Sequence, residues 1–279
     1  MKKVYQYIDK LVWPMVAILM YLACQFMGQA TVQTVAFLNH SNDPVGDSLA
    51  WALTISSIVS IIAMVVLPPY KILDDYKRVG CSKKNVAIAM VVLMLTLIFA
   101  TALNDKVDRV FGLEMGNEYE KIFNTLIKSP VGLIAICLLG PVCEEIVFRG
   151  GVMKPLLQRK VKPWTAIWVS AIIFAVVHGN LVQMLYALMV GLVMGIIYYR
   201  TASLILTSIA HIINNSVSAW ILLNHPEWND LNPETIFGPL MYYVLLVVLA
   251  VAVVMLLRHF WYKTSDMKRK FEIDNIYKL

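Results

Sequence analysis

Two adjacent glutamates and an arginine, Glu144, Glu145 and Arg149, stand in a run that is otherwise apolar from Val131 to Phe148. An ionised side chain in hydrocarbon costs about 2.5 kcal/mol on the lowest scales and more than roughly 10 on the highest. Three such groups within six residues therefore point to a role. Glu145 and Arg149 are four residues apart, so on a helix they share a face and can pair. Glu144 projects about 100° away on the same helix. A buried carboxylate with a cation nearby is pulled in opposite directions by its surroundings, which is the tuning a general base near neutral pH requires.

The other strongly polar groups of the later apolar segments are His178, Asn180, Gln183, His211, Asn214 and Asn215. His211 and Asn215 share one face of LILTSIAHIINNSVSAW, and Phe174 and His178 repeat that spacing in IIFAVVHGN. A lone buried histidine is ordinarily a satisfied core group, and His40, His225 and His259, at segment ends, are read that way. His178 and His211 differ because two glutamates accompany them on a third segment. Ionisable residues inside a membrane usually face one another and mark a site. Helix rise places all three motifs at depths of about 10 to 20 Å from one membrane face.

These groups need elements to carry them. The chain has 279 residues, 59% of them hydrophobic and only 15% charged, with mean hydropathy +0.68. A soluble domain carries nearer a quarter charged residues. The fold class expected is all-α, a polytopic transmembrane helical bundle. Eight apolar spans are read at about 11–38, 48–69, 86–104, 130–153, 164–180, 182–199, 202–223 and 238–260. They fill one integral membrane domain over 1–279, with the motif-bearing core at about 131–222.

With a cytoplasmic N-terminus, nineteen of the 24 Lys and Arg residues fall on inner segments and four on outer ones, leaving Arg149 inside a span. That bias places both termini in the cytoplasm. It also explains the net charge of +6 as a topology signal, so no nucleic-acid partner is implied. Lys2, Lys3 and Lys10 precede the first span as in a signal peptide, but the apolar run is too long, and an uncleaved helix is expected. Asn42-Asp43-Pro44 and Asn232-Pro233 read as outer turns. Segment 105–129, with Asp105, Asp108, Glu114, Glu118 and Glu120, reads as the longest outer loop or as an interfacial helix, its charge a solvated face. Cys24, Cys81, Cys137 and Cys143 lack CxxC pairing and read as small hydrophobes. Gly191 and Gly195 allow close helix packing.

Three motifs in order, Glu144-Glu145-x-x-x-Arg149, Phe174-x-x-x-His178 and His211-x-x-x-Asn215, resemble those of the CAAX protease and bacteriocin-processing (CPBP or Abi) family of intramembrane glutamate proteases. They span about a third of the chain. The resemblance implies an eight-helix bundle with a conical cavity, a bacterial cytoplasmic membrane, and a peptide or membrane-associated protein as substrate. It implies peptide-bond hydrolysis without a cofactor. Glu144 would deprotonate a water with help from His178, and His211 and Asn215 would donate hydrogen bonds to the tetrahedral oxyanion. Glu145 and Arg149, with Phe174, would support the site. Bacteriocin maturation, immunity and pheromone processing all stay open, as does oligomeric state.

The nearest alternative is zinc held by Glu144, His178 and His211 with one open position. No HExxH occurs, and Arg149 and Asn215 are not zinc ligands. A non-catalytic membrane regulator is a second alternative, disfavoured because every polar member of the motifs is present. A proton-coupled transporter would use the same residues as a relay, but the paired broken helices of transporter repeats are not found.

Overall fold

The computed structural model of the protein describes residues 2–38, 47–66, 82–113 and 117–264. His40, the Asn42-Asp43-Pro44 turn, Cys81, Glu114, the basic residues Lys71, Lys77 and Arg78, and those beyond Thr264 lie outside the described residues. The protein is an all-helical integral membrane protein, and the described residues contain no strand. Its helices are α1 (Lys2–Leu38), α2 (Asp47–Val66), α3 (Lys83–Phe111), α4 (Asn117–Lys128), α5 (Pro130–Gln158), α6 (Pro163–Val177), α7 (Leu181–Thr201), α8 (Leu204–Asn224), α9 (Pro233–Phe237) and α10 (Pro239–Lys263).

Seven of these, α1, α2, α3, α5, α7, α8 and α10, are long and apolar enough to cross a membrane. The remaining expected span, the fifth at 164–180, forms the shorter helix α6 of 15 residues. It stops at Val177 because His178 caps it and Gly179 follows with φ +65°, a left-handed turn that glycine tolerates without steric cost. Asn180 then accepts a hydrogen bond from the Val182 N–H and starts α7. Its polarity is that of a helix cap and needs no ligand to explain it.

Two boundaries differ from the sequence expectation. The third span runs past residue 104 to Phe111, where Gly112 ends it in a left-handed cap. Its charged end is held by an Asp105–Arg109 pair at 3.0 Å, one turn apart. The presumed loop thus consists largely of that helix end and α4. Asn232-Pro233 likewise opens helix α9, with the Asn232 side chain accepting from the Glu234 N–H.

The chain forms two compact units, each assembled from separate stretches of sequence. The first contains α1, α2, α4, α5 and the part of α8 from His211 onward. Here Gly151 of α5 faces Met64 of α2 and Ala17 of α1 so closely that an added Cβ would lie 2.3 and 2.9 Å from their side-chain carbons. The second contains α3, α6, α7, α9, α10 and the first turns of α8. Its core is Ala89, Val92 and Leu93 of α3 against Val190, Met194 and Ile197 of α7, closed by Leu206 and Phe260.

Three threonine hydroxyls inside the spans are satisfied within their own helices: Thr54 donates to the Ala50 carbonyl, Thr96 to Val92 and Thr201 to Ile197. Hydrocarbon offers no water to do so. One asparagine makes longer links. Asn104 donates to the Asp108 carboxylate and the Val182 carbonyl and accepts from the Tyr186 N–H, joining the end of α3 to the first turn of α7. Large side chains such as Phe26, Leu240 and Val254 are exposed, as expected of a surface that lipid covers.

The glycine pair of α7 packs as the sequence suggests. A Cβ at Gly191 would meet Phe174 at 3.2 Å and Ala171 at 3.3 Å, and one at Gly195 would meet Ile167 at 3.2 Å. Gly191→Val forces α6 and α7 apart and is expected to lower stability by about 1–3 kcal/mol. Thermal unfolding of the purified protein in detergent measures this, and an unchanged midpoint would contradict the packing described.

Candidate active site

Helix α5 is continuous but widens twice. Residues Ala135–Leu139 and Ile146–Met153 are wound as π-helix, with the Gly140 N–H bonded to the Ala135 carbonyl and the Lys154 N–H to the Arg149 carbonyl, five residues back in each case. Such turns are uncommon and concentrate at functional sites. The six residues between them, Gly140–Glu145, are α-helical and carry both glutamates.

Glu145 accepts a hydrogen bond from the Arg149 guanidinium at 2.8 Å, and both side chains are fully shielded from solvent, at 0% exposure. The same Glu145 oxygen lies 3.1 Å from Nδ1 of His211. The other ring nitrogen of His211, Nε2, lies 3.6 Å from a Glu144 oxygen. The two carboxylates that a simple helical wheel turns about 100° apart therefore converge on one imidazole. With its Nδ1–H donated to Glu145, His211 presents Nε2 to Glu144, as a lone pair when neutral and as an N–H when charged.

The two glutamates differ in exposure. Glu144 is 22% exposed where Glu145 is sealed. A carboxylate that water reaches can do chemistry on water, whereas one enclosed between an arginine and a histidine is a structural anchor.

Asn215, one turn beyond His211, donates from Nδ2 to the Ile136 carbonyl at 2.9 Å in the first π turn, and its Oδ1 accepts from Asn214. Both ends of the amide are thereby fixed, and one N–H remains beyond the bond to Ile136. Glu144 and Asn215 line a single cavity of about 220 Å³, together with Tyr21, Gln25, Ser57 and Cys143. Asn214 is thus a partner that holds Asn215.

His178 and Phe174 lie in the second unit. The Nδ1–H of His178 donates to the Phe174 carbonyl at 2.7 Å, and the ring meets the Phe174 ring edge-on at 4.8 Å. That bond leaves Nε2 as the acceptor of the neutral ring. The Phe-x-x-x-His spacing has a physical meaning here: the phenylalanine supplies both the carbonyl and the ring that orient the histidine. Phe174 is itself packed against Gly191.

Three polar cavity residues were not singled out from the sequence. Gln25 and Tyr21 come from α1, and Ser57 comes from α2. Ser56 donates to Oε1 of Gln25 at 2.7 Å, a distance typical of O–H···O bonds, which leaves the Gln25 NH₂ as the free end of the amide. The signal for Gln25 is its amide within the first apolar span, far in sequence from the three motifs. Among the described residues no group of three or more His, Cys, Asp or Glu side chains is arranged to hold a metal ion. Cys24, Cys137 and Cys143 are free thiols.

The Glu145–Arg149 pair is expected to fail unequally. Removing one partner leaves a buried charge, so Arg149→Met should cost about 3–5 kcal/mol, and Glu145→Gln added to it should recover much of the loss. Unfolding of both variants in detergent measures the difference, and equal stability of the two would show that the pair is not coupled.

Residues 126–217 match the family described as Type II CAAX prenyl endopeptidase Rce1-like. A Bacillus subtilis (strain 168) protein named as a membrane peptidase, YdiL, is 23% identical over 235 residues, covering 80% of this chain and 96% of its own. A Staphylococcus aureus (strain USA300) protein named as the membrane-embedded CAAX protease MroQ is 21% identical over 224 residues, covering 76% of this chain and 90% of its own. No solved structure matches the chain.

Proposed function

We propose that the chain, whose residues 126–217 match the Rce1-like CAAX prenyl endopeptidase family, is an intramembrane endopeptidase that uses Glu144 to activate a water. The observation that carries this is the unequal setting of the two glutamates. Glu144 is partly exposed on a cavity of about 220 Å³ that it shares with Asn215, while Glu145 is sealed against Arg149 and His211.

In the proposed reaction Glu144 removes a proton from water as the oxygen attacks the carbonyl carbon of the scissile bond. His211 in its charged form, through Nε2, and Asn215, through its remaining N–H, donate to the oxyanion of the tetrahedral intermediate. Collapse breaks the C–N bond, and the proton held by Glu144 passes to the departing amine. His178 is assigned to assist the base, on its motif and on the acceptor that its bond to Phe174 leaves at Nε2. Glu145 and Arg149 act by holding His211 and the helix. The substrate class is a peptide or a membrane-associated protein, as the names of both relatives suggest. Both termini are assigned to the cytoplasm from the basic residues, and a reporter fused after Leu279 should be active only on that side.

The test is cleavage of a candidate leader or pheromone peptide by protein reconstituted in liposomes. Glu144→Ala, His211→Ala and His178→Ala should abolish turnover. Asn215→Ala should lower kcat by about 10²–10³, the usual effect of losing one oxyanion donor. Activity should survive strong chelation. Full cleavage by Glu144→Ala would overturn the mechanism, and loss of activity on chelation that added zinc restores would favour the metal mechanism.

A further inference from the structure

In the second unit a groove of about 420 Å³ opens between the basic ends of three helices. Its lining is Trp164 in the first turn of α6, Ile196 of α7, and Val254, Arg258, Trp261 and Tyr262 from the last turns of α10. The volume is that of a ligand cleft, a class running from about 300 to 1,000 Å³. The walls are apolar and aromatic.

The aromatic wall is built in place. Trp164 and Trp261 stack at 5.2 Å with their planes 12° apart. Behind them the buried Arg200 lies 4.5 Å over the Trp261 ring and bonds the Thr264 hydroxyl and the Trp261 carbonyl. A guanidinium over an indole is the strongest common cation–π arrangement, so Trp261 is pinned from the inner side while its outer side faces the groove. Tryptophan and tyrosine at the ends of spans settle at the depth of lipid headgroups.

The mouth carries a charge. Arg258 is exposed, lies 5.7 Å over the Tyr262 ring and makes no ion pair among the described residues. Lys162, two residues before Trp164, and Lys263, next to Tyr262 in sequence, are both exposed. An apolar trough with a cation at its headgroup end is complementary to one kind of molecule. Acyl chains fit the trough, and a phosphate meets the guanidinium.

We propose that this groove is a binding site for an anionic phospholipid, with the acyl chain along Ile196, Val254 and Leu257 and the headgroup phosphate on Arg258. The site shares no residue with those assigned to peptide hydrolysis and does not depend on that assignment.

Native mass spectrometry of the full chain in non-ionic detergent tests it, with phosphatidylglycerol and phosphatidylcholine supplied in equal amounts. Wild type should retain phosphatidylglycerol in preference. Arg258→Gln should reduce that preference by about five-fold, the worth of one basic residue near an anionic headgroup. Arg258→Lys should keep most of it, and Lys128→Gln, exposed on α4 in the first unit, should leave it unchanged. Equal retention of the two lipids by wild type would overturn the proposal, as would an undiminished preference in Arg258→Gln. Inorganic phosphate displacing the lipid at equal concentration would show that the acyl trough contributes nothing, and would overturn it too.

Discussion

The Glu145 carboxylate is the point on which the first unit depends. It sits in a segment apolar on all sides, wholly without exposure, and accepts from Arg149 and from His211. An isolated carboxylate there would be untenable. Arg149 and His211, from two helices, both meet the same Glu145 oxygen, Oε1, and that has a consequence. Because the partners come from α5 and α8, the bond sets those helices in register and turns His211 so that its second nitrogen meets Glu144.

From that constraint follows the division between the glutamates. One is consumed by structure, and the other is left on a cavity with a fixed amide and a fixed imidazole around it. The π turns on either side of the pair belong to the same design. A wider turn leaves main-chain carbonyls out of the ordinary ladder, and the Ile136 carbonyl of the first such turn is the one that orients Asn215. The irregular backbone of α5 is thus used in the site, as uncommon helical turns often are.

The second unit solves related problems with different residues. Asn104 satisfies two main-chain groups at the start of α7 that lipid could not. Gly191 lets α7 pack closely against Phe174 of α6, and Phe174 presents its own carbonyl and ring to His178 one turn on. Arg200, which the distribution of charge alone places on an inner loop, is instead buried 1% exposed and braces Trp261. Long cationic side chains can carry their charge into packed surroundings when main-chain and hydroxyl oxygens receive it.

Much of this was legible without coordinates. Composition and the run lengths of apolar residues determined an all-helical membrane protein, because a span must be long and apolar whatever its neighbours are. The cost of charge in hydrocarbon singled out Glu144, Glu145 and Arg149, and the i, i+4 spacing paired the last two. Tertiary structure decided what spacing could not. The helical wheel separates the glutamates, and only the facing α8 shows both meeting His211. Gln25 and Tyr21 enter the cavity from a helix more than a hundred residues away in sequence, which no local pattern encodes. Short-range periodicity is a property of one helix, whereas a cavity is a property of which helices pack, and that information is spread over the whole chain.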